Sequence, residues 1–142
     1  MQYSYGIIPF FKDGKWYMFL LVQHLWWHRS FPKGQIESWE TPLQTAKREV
    51  FEETWLSDID VIPNLYFDHY YSFSDRQGGL INKRVGFFVG EVYDDSIVLQ
   101  KAELKNYCWK NFQDAMKLLT FDSDKNILKK SYEAIKLVVG RT

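Results

Sequence analysis

Residues 34–56 read GQIESWETPLQTAKREVFEETWL, and the second half of that stretch has the local chemistry of a helix. Thr41 is a good N-cap, Pro42 suits the first helical position, and Gln44 stands three residues after the cap, as a capping box requires. The helix is predicted to run to about Thr54, with Leu43, Ala46 and Val50 as the apolar stripe that docks it on a sheet. Beside that stripe, Glu49 has Glu52 and Glu53 at i+3 and i+4, which brings three carboxylates to one face. Like charges so close repel one another, so the cluster is either a solvated stripe or a cation site. Arg48 stands four residues before Glu52 and can hold its carboxylate. Hard oxygen donors in this number suit Mg2+ or Mn2+, ions that join a few carboxylates to substrate phosphates and activate water for attack at phosphorus.

Outward from the helix, strand signals dominate. Tyr3–Phe11 and Trp16–Gln23 flank the turn Lys12-Asp13-Gly14-Lys15 and read as a β-hairpin, with Pro9 suggesting an edge or a bulge. His24–Glu40 reads as a loop. Val61–Ser74 and Leu80–Val92 read as a long hairpin around the polar loop 75–79. Tyr107–Trp109 is a short strand, Phe112–Leu119 a short helix, and Asp124–Val139 a longer one. Its apolar face is expected from Ile127, Leu128, Ile135, Leu137 and Val138, with Lys125, Lys129 and Lys130 on the wet side. Strands mixed with helices indicate a mixed α/β fold, read here as one domain over residues 1–142.

Composition narrows the partner. The 142 residues carry 18 Lys and Arg against 18 Asp and Glu, which removes the broad basic field of a protein that grips long nucleic acid. A small ligand is expected. The apolar runs are too short for a membrane span, the N-terminus has no secretory pattern, and the cytoplasm is the expected compartment. Cys108, the single cysteine, can form no internal disulfide and is expected to be a core thiol. Aromatic residues reach 18%, enough for both a core and base-stacking surfaces.

The stretch from Gly34 resembles the Nudix box: Gly, five residues, Glu, seven residues, Arg-Glu, an aliphatic, any residue, Glu-Glu, any residue, Gly, an aliphatic. Gly34, Glu40, Arg48, Glu49, Val50, Glu52, Glu53 and Leu56 match in register. At ordinary residue frequencies the six most restrictive matches coincide at one start on the order of once in 10⁷ or more. The second glycine of the box is Trp55 here, a residue that strains the left-handed helix exit which glycine allows. The resemblance implies an α/β/α sandwich around a mixed β-sheet and metal-dependent hydrolysis of a nucleoside diphosphate linked to another group. It further implies that Glu49, Glu52, Glu53 and the carbonyl of Gly34 bind Mg2+ or Mn2+, that Glu49 or Glu52 takes part in catalysis, and that Arg48 orients Glu52.

Beyond the box, the chain is similar to asymmetric diadenosine tetraphosphate hydrolases. The likeness rests on the hairpin ahead of the box, the Pro32-Lys33-Gly34 start with His28 upstream, Lys83 after the long loop, and Glu103 followed by Tyr107 and Trp109. Phe121 between the last two helices continues it. The resemblance implies that Lys33 and Lys83 meet the polyphosphate and that Glu103 is a further metal ligand from a loop. Tyr70, Tyr71 and Phe73 alternate on a strand, so about half of them are expected in the core. Tyr71 and Phe73 share a face, and one could stack a base with Phe121. His24 and His69 stand alone in the sequence and receive no role. The expected reaction converts diadenosine tetraphosphate to ATP and AMP. The alternatives are an RNA 5′-pyrophosphohydrolase acting on a 5′ RNA end, a nucleoside triphosphate pyrophosphatase, and a nucleotide-binding regulator without turnover.

Overall fold

The computed structural model describes residues 1–25, 27–100 and 102–139. Strands β1 (Gln2–Asp13) and β2 (Trp16–His24) form the expected hairpin, with Phe10 opposite Phe19 and Asp13 opposite Trp16. Within the stretch read as a loop lie two short strands, β3 (Arg29–Ser30) and β4 (Lys33–Gln35), which pair with β2 and β1. Helix α1 (Pro42–Thr54) begins at Thr41, whose hydroxyl accepts from Gln44 N–H while the Gln44 side chain accepts from Thr41 N–H. Strands β5 (Ile59–Ser74) and β6 (Leu80–Val92) make the long hairpin. Strand β7 (Leu104–Asn111) pairs with β2, and α2 (Phe112–Leu118) and α3 (Asp122–Val138) follow.

Strand β1 runs parallel to β6 along Gln2–Phe10, so the sheet is mixed, in the order β3-β2-β1-β6-β5 with β4 and β7 to the side. Alternate residues of a strand face opposite sides, and both sides are covered here. Tyr5, Ile7 and Leu20 pack with Ala46 and Val50 of α1. Ile8, Phe10, Phe19, Leu21 and Phe87 pack with Ala115, Leu119, Ile127, Leu128 and Ile135 under α2 and α3. Burial on both faces is why β1 reads as a nearly unbroken apolar run. The result is an α/β/α sandwich around a mixed sheet.

Four expectations change. Pro9 is in a central strand, not at an edge. On one side β1 pairs with β4 through Ser4–Gly6 and with β2 from Phe10 onward, so Pro9 falls where β1 changes partner. Leu137 and Val138 are exposed at the end of α3, and the buried stripe is Asp124, Ile127, Leu128, Ser131 and Ile135. Tyr70, Tyr71 and Phe73 are all exposed, because the hairpin end that carries them extends past the core. Cys108 is only half-buried, on a strand at the margin of the sheet, and that partial burial pushes its thiol pKa up.

Candidate active site

Consecutive residues of β4 serve the two faces of the sheet. Gly34 stands opposite Tyr5, whose side chain belongs to the α1 face, and Lys33 stands opposite Gly6. Gly34 lies so close to α1 that an added Cβ would overlap the Glu49 carboxylate. Only glycine permits that approach. The Lys33 backbone N–H donates to Glu53 Oε2 at 3.2 Å. Glu49 and Glu53 are therefore tucked against β4, 5% and 3% exposed, whereas the Glu52 side chain is 44% exposed.

Arg48 gathers the carboxylates. Its Nη1 donates to Glu49 Oε1 at 2.7 Å and to Glu52 Oε2 at 3.2 Å, and its Nη2 donates to the Gln35 carbonyl at 3.0 Å. The anchor of Arg48 is Glu40, a box residue to which the sequence reading assigned no role. Glu40 accepts from Arg48 Nε at 2.6 Å and Nη2 at 3.0 Å, from Glu37 N–H and from the Thr45 hydroxyl. The Arg48 bond, aided by Glu37 N–H, holds the Glu40 carboxyl down at about 2, and the same carboxylates push the Arg48 pKa up. Arg48 thus orients Glu49 as well as Glu52.

The donor set fits a hard divalent cation: two buried carboxylates, a third at the rim, and bare backbone at Gly34. Among the described residues no three His, Cys, Asp or Glu side chains stand in the arrangement of a metal cage, since the carboxylates are turned onto Arg48 and β4. Glu103 is exposed in the turn before β7. Its loop is fastened to the end of α1 by Val98 N–H to the Thr54 carbonyl and Gln100 N–H to the Glu53 carbonyl, both at 3.1 Å, and to the end of β2 by Leu25 N–H, which donates to the Glu103 carbonyl at 2.9 Å.

On the opposite face, a cavity of about 320 Å³ is lined by Lys33, His69, Tyr70, Tyr71, Val85, Phe121, Ser123 and Asp124. Along one face of β5, His69 stacks on Tyr71 with ring centroids 5.7 Å apart, and Phe73 meets Tyr71 tilted at 6.0 Å. Lys83 is the cross-strand partner of Tyr71. His28 packs on Phe121 at 5.7 Å and on His24 at 4.2 Å. The cavity therefore unites Lys33, Tyr71 and Phe121, with His28, Phe73 and Lys83 beside its walls rather than in its lining. Burial, then the charge of Lys33, lowers the pKa of His28, His69 and Lys83.

Among the lining residues that escaped the sequence reading are His69 and Asp124. His69 was legible in principle, since it precedes Tyr71 by two on a strand and so shares its face. Asp124 lies on the buried stripe of α3, and its carboxyl is held up at about 6 by burial, against the opposing pull of Lys33. An acid on the apolar stripe of a helix was its only signal.

The NUDIX domain family model matches residues 2–131. The chain belongs to the NUDIX family. Its curated Nudix relatives include the RNA pyrophosphohydrolase of Bartonella bacilliformis, 28% identical over 134 residues, with 76% of each chain covered. Among solved structures, the Ap4A hydrolase of C. elegans in a binary complex superposes with a TM-score of 0.84 at 22% identity, over 95% of this chain and 98% of that one. The dihydroneopterin triphosphate pyrophosphohydrolase of E. coli gives 0.74 at 19% identity, over 90% and 92%. At these identities the structural likenesses speak to the Nudix fold. Nudix hydrolases generally use divalent metals such as Mg2+ and act on small nucleotide substrates. Among the described residues, no helix is long and apolar enough to cross a membrane.

Proposed function

We propose that the chain, as a single Nudix hydrolase domain over residues 1–142, is a pyrophosphohydrolase of dinucleoside polyphosphates that converts diadenosine tetraphosphate to ATP and AMP. One observation carries the reading: Lys33 and Gly34, adjacent in β4, join a carboxylate cluster to a cavity walled by aromatic rings and a lysine. A dinucleoside polyphosphate needs both, a polyanion site for its phosphates and a stacking surface for at least one base.

Glu49, Glu52, Glu53 and the Gly34 carbonyl would hold Mg2+ or Mn2+, with Glu103 as a further ligand from its loop. The ion would offset phosphate charge and activate water. Arg48, clamped by Glu40, keeps Glu49 and Glu52 in place, and either of these is positioned to accept the proton of the attacking water. Lys33, Lys83 and His28 meet the phosphates, while Tyr71, Phe73 and Phe121 supply ring faces. Water oxygen bonds to the phosphorus next to one nucleoside or the one beyond it, the bridging P–O bond breaks, and the released oxygen takes a proton.

The test is incubation of diadenosine tetraphosphate with Mg2+ and chromatography of the products, with ¹⁸O water marking the phosphorus attacked. ATP and AMP are expected, and excess chelator should stop the reaction. Two ADP would contradict asymmetric cleavage. A second reading, an RNA 5′-pyrophosphohydrolase, is favoured by the name of the Bartonella relatives. Faster turnover of 5′-triphosphorylated RNA than of the dinucleotide would put it first.

A further inference from the structure

Asp124 is anomalous where it stands. It is 5% exposed, it lines the cavity, and it occupies the first turn of α3 on the same stripe as Ile127 and Leu128. Charged side chains are seldom buried without a partner, because desolvation of the charge is costly. Among the described residues its carboxylate makes no hydrogen bond and no ion pair with Lys33, also in the lining, and since no side-chain oxygen there is both buried and without a partner, its oxygens open onto the cavity. The helix N-terminus does not require it either, since exposed Asp122 already places a carboxylate in the first turn.

A carboxylate held in an otherwise apolar stripe and opening onto a cavity suits a ligand that brings donors. An ionised carboxylate only accepts, through two oxygens side by side. Guanine presents N1–H and the 2-amino group as adjacent donors on one edge. Adenine presents one amino group beside the lone pair of N1, so one carboxylate oxygen would face another acceptor. We propose that Asp124 is a specificity-determining residue, accepting both donors of a guanine edge while Tyr71 and Phe121 hold the ring, so that this cavity takes a guanine nucleotide in preference to an adenine one. The proposal rests on the dinucleoside polyphosphate class proposed above and ranks diguanosine tetraphosphate ahead of diadenosine tetraphosphate within it.

The test is calorimetric titration of the full chain with GDP and with ADP in the presence of chelator, so that binding is read without turnover. The wild type should bind GDP at least about tenfold more tightly, the scale of one bidentate contact to a base. Asp124→Asn should narrow the preference, because an amide pairs with adenine through N1 and the amino group and with guanine through O6 and N1–H. Asp124→Ala should leave the two nucleotides nearly equal. Equal wild-type affinities, or a preference that survives Asp124→Ala undiminished, would overturn the assignment. So would absence of binding by either nucleotide. A parallel assay of diguanosine and diadenosine tetraphosphates with Mg2+ separates the two readings. If neither is hydrolysed but the GDP preference and its loss in Asp124→Ala hold, the dinucleotide reading falls and Asp124 keeps its role.

Discussion

Glu49 and Glu53 are buried because Gly34 has no Cβ and because the Lys33 N–H donates to Glu53, while Glu52 stands at the rim on Arg48. Glu52→Gln and Glu53→Gln keep shape and remove charge, so each should lower kcat at least roughly 10²-fold, within the range that charged catalytic groups supply. Unchanged rates in both variants would point to a regulator or to another site. Asp124 makes a different residue-scale prediction, on stability. Its carboxyl is held up at about 6 against 3.8 for the ordinary group. Between those values the native state binds more protons than the unfolded one, so this group's contribution is full below about pH 4 and is lost as pH rises through 6. Glu40, held down at about 2, acts in the opposite sense at lower pH. The comparison is therefore wild type against Asp124→Asn. The gap in unfolding free energy should widen in favour of the variant from pH 4 to 7, by on the order of 3 kcal/mol. Parallel denaturation midpoints across that range would show that Asp124 is not desolvated in solution.

At the scale of the element, α1 was legible from end to end because its signals are local. Cap, proline and capping-box partner all lie within four residues, and Trp55 replaces a glycine where the helix leaves in the left-handed region. Trp55 has φ 69° and ψ 6°, with its N–H on the Phe51 carbonyl at 2.9 Å. Two terms oppose each other there. Positive φ costs a side chain about 1 kcal/mol, and Trp55 recovers part of it by stacking on Phe51, centroids 4.7 Å apart. Trp55→Gly should raise stability slightly, by less than about 1 kcal/mol, whereas Trp55→Ala should lower it, since alanine keeps the strain and loses the stack. Urea midpoints rank the three proteins, and an alanine variant as stable as the glycine one would remove strain as the cause. Elements of two or three residues were not legible. Strands β3 and β4 are too short to carry a period, so the stretch holding Lys33 and Gly34 read as loop. The Glu40–Arg48 clamp was hidden for a related reason: it closes across eight residues and a turn, beyond any helical spacing.

For the molecule as a whole, the sheet separates two tasks. Carboxylates gather on the α1 face, rings and Asp124 on the α3 face, and β4 touches both. The box disclosed the first group, since one helix carries it. The second draws on β4, β5, β6 and the start of α3, segments whose meeting depends on the parallel pairing of β1 with β6, which no local pattern announces. This division has a kinetic consequence. Phe121→Ala removes a ring at the cavity and leaves α1 intact, so it should raise KM with little change in kcat, by the equivalent of about 1–3 kcal/mol for one base stack. Glu52→Gln should lower kcat with little change in KM. Phe121 lines the cavity on the α3 face, and Glu52 stands on α1 across the sheet. Their effects on kcat/KM for diadenosine tetraphosphate should therefore multiply, the double variant matching the product of the singles within about 0.5 kcal/mol. A double variant no worse than Glu52→Gln alone would mean that the base stack acts only through the metal-side carboxylates, and the two faces would then be one site.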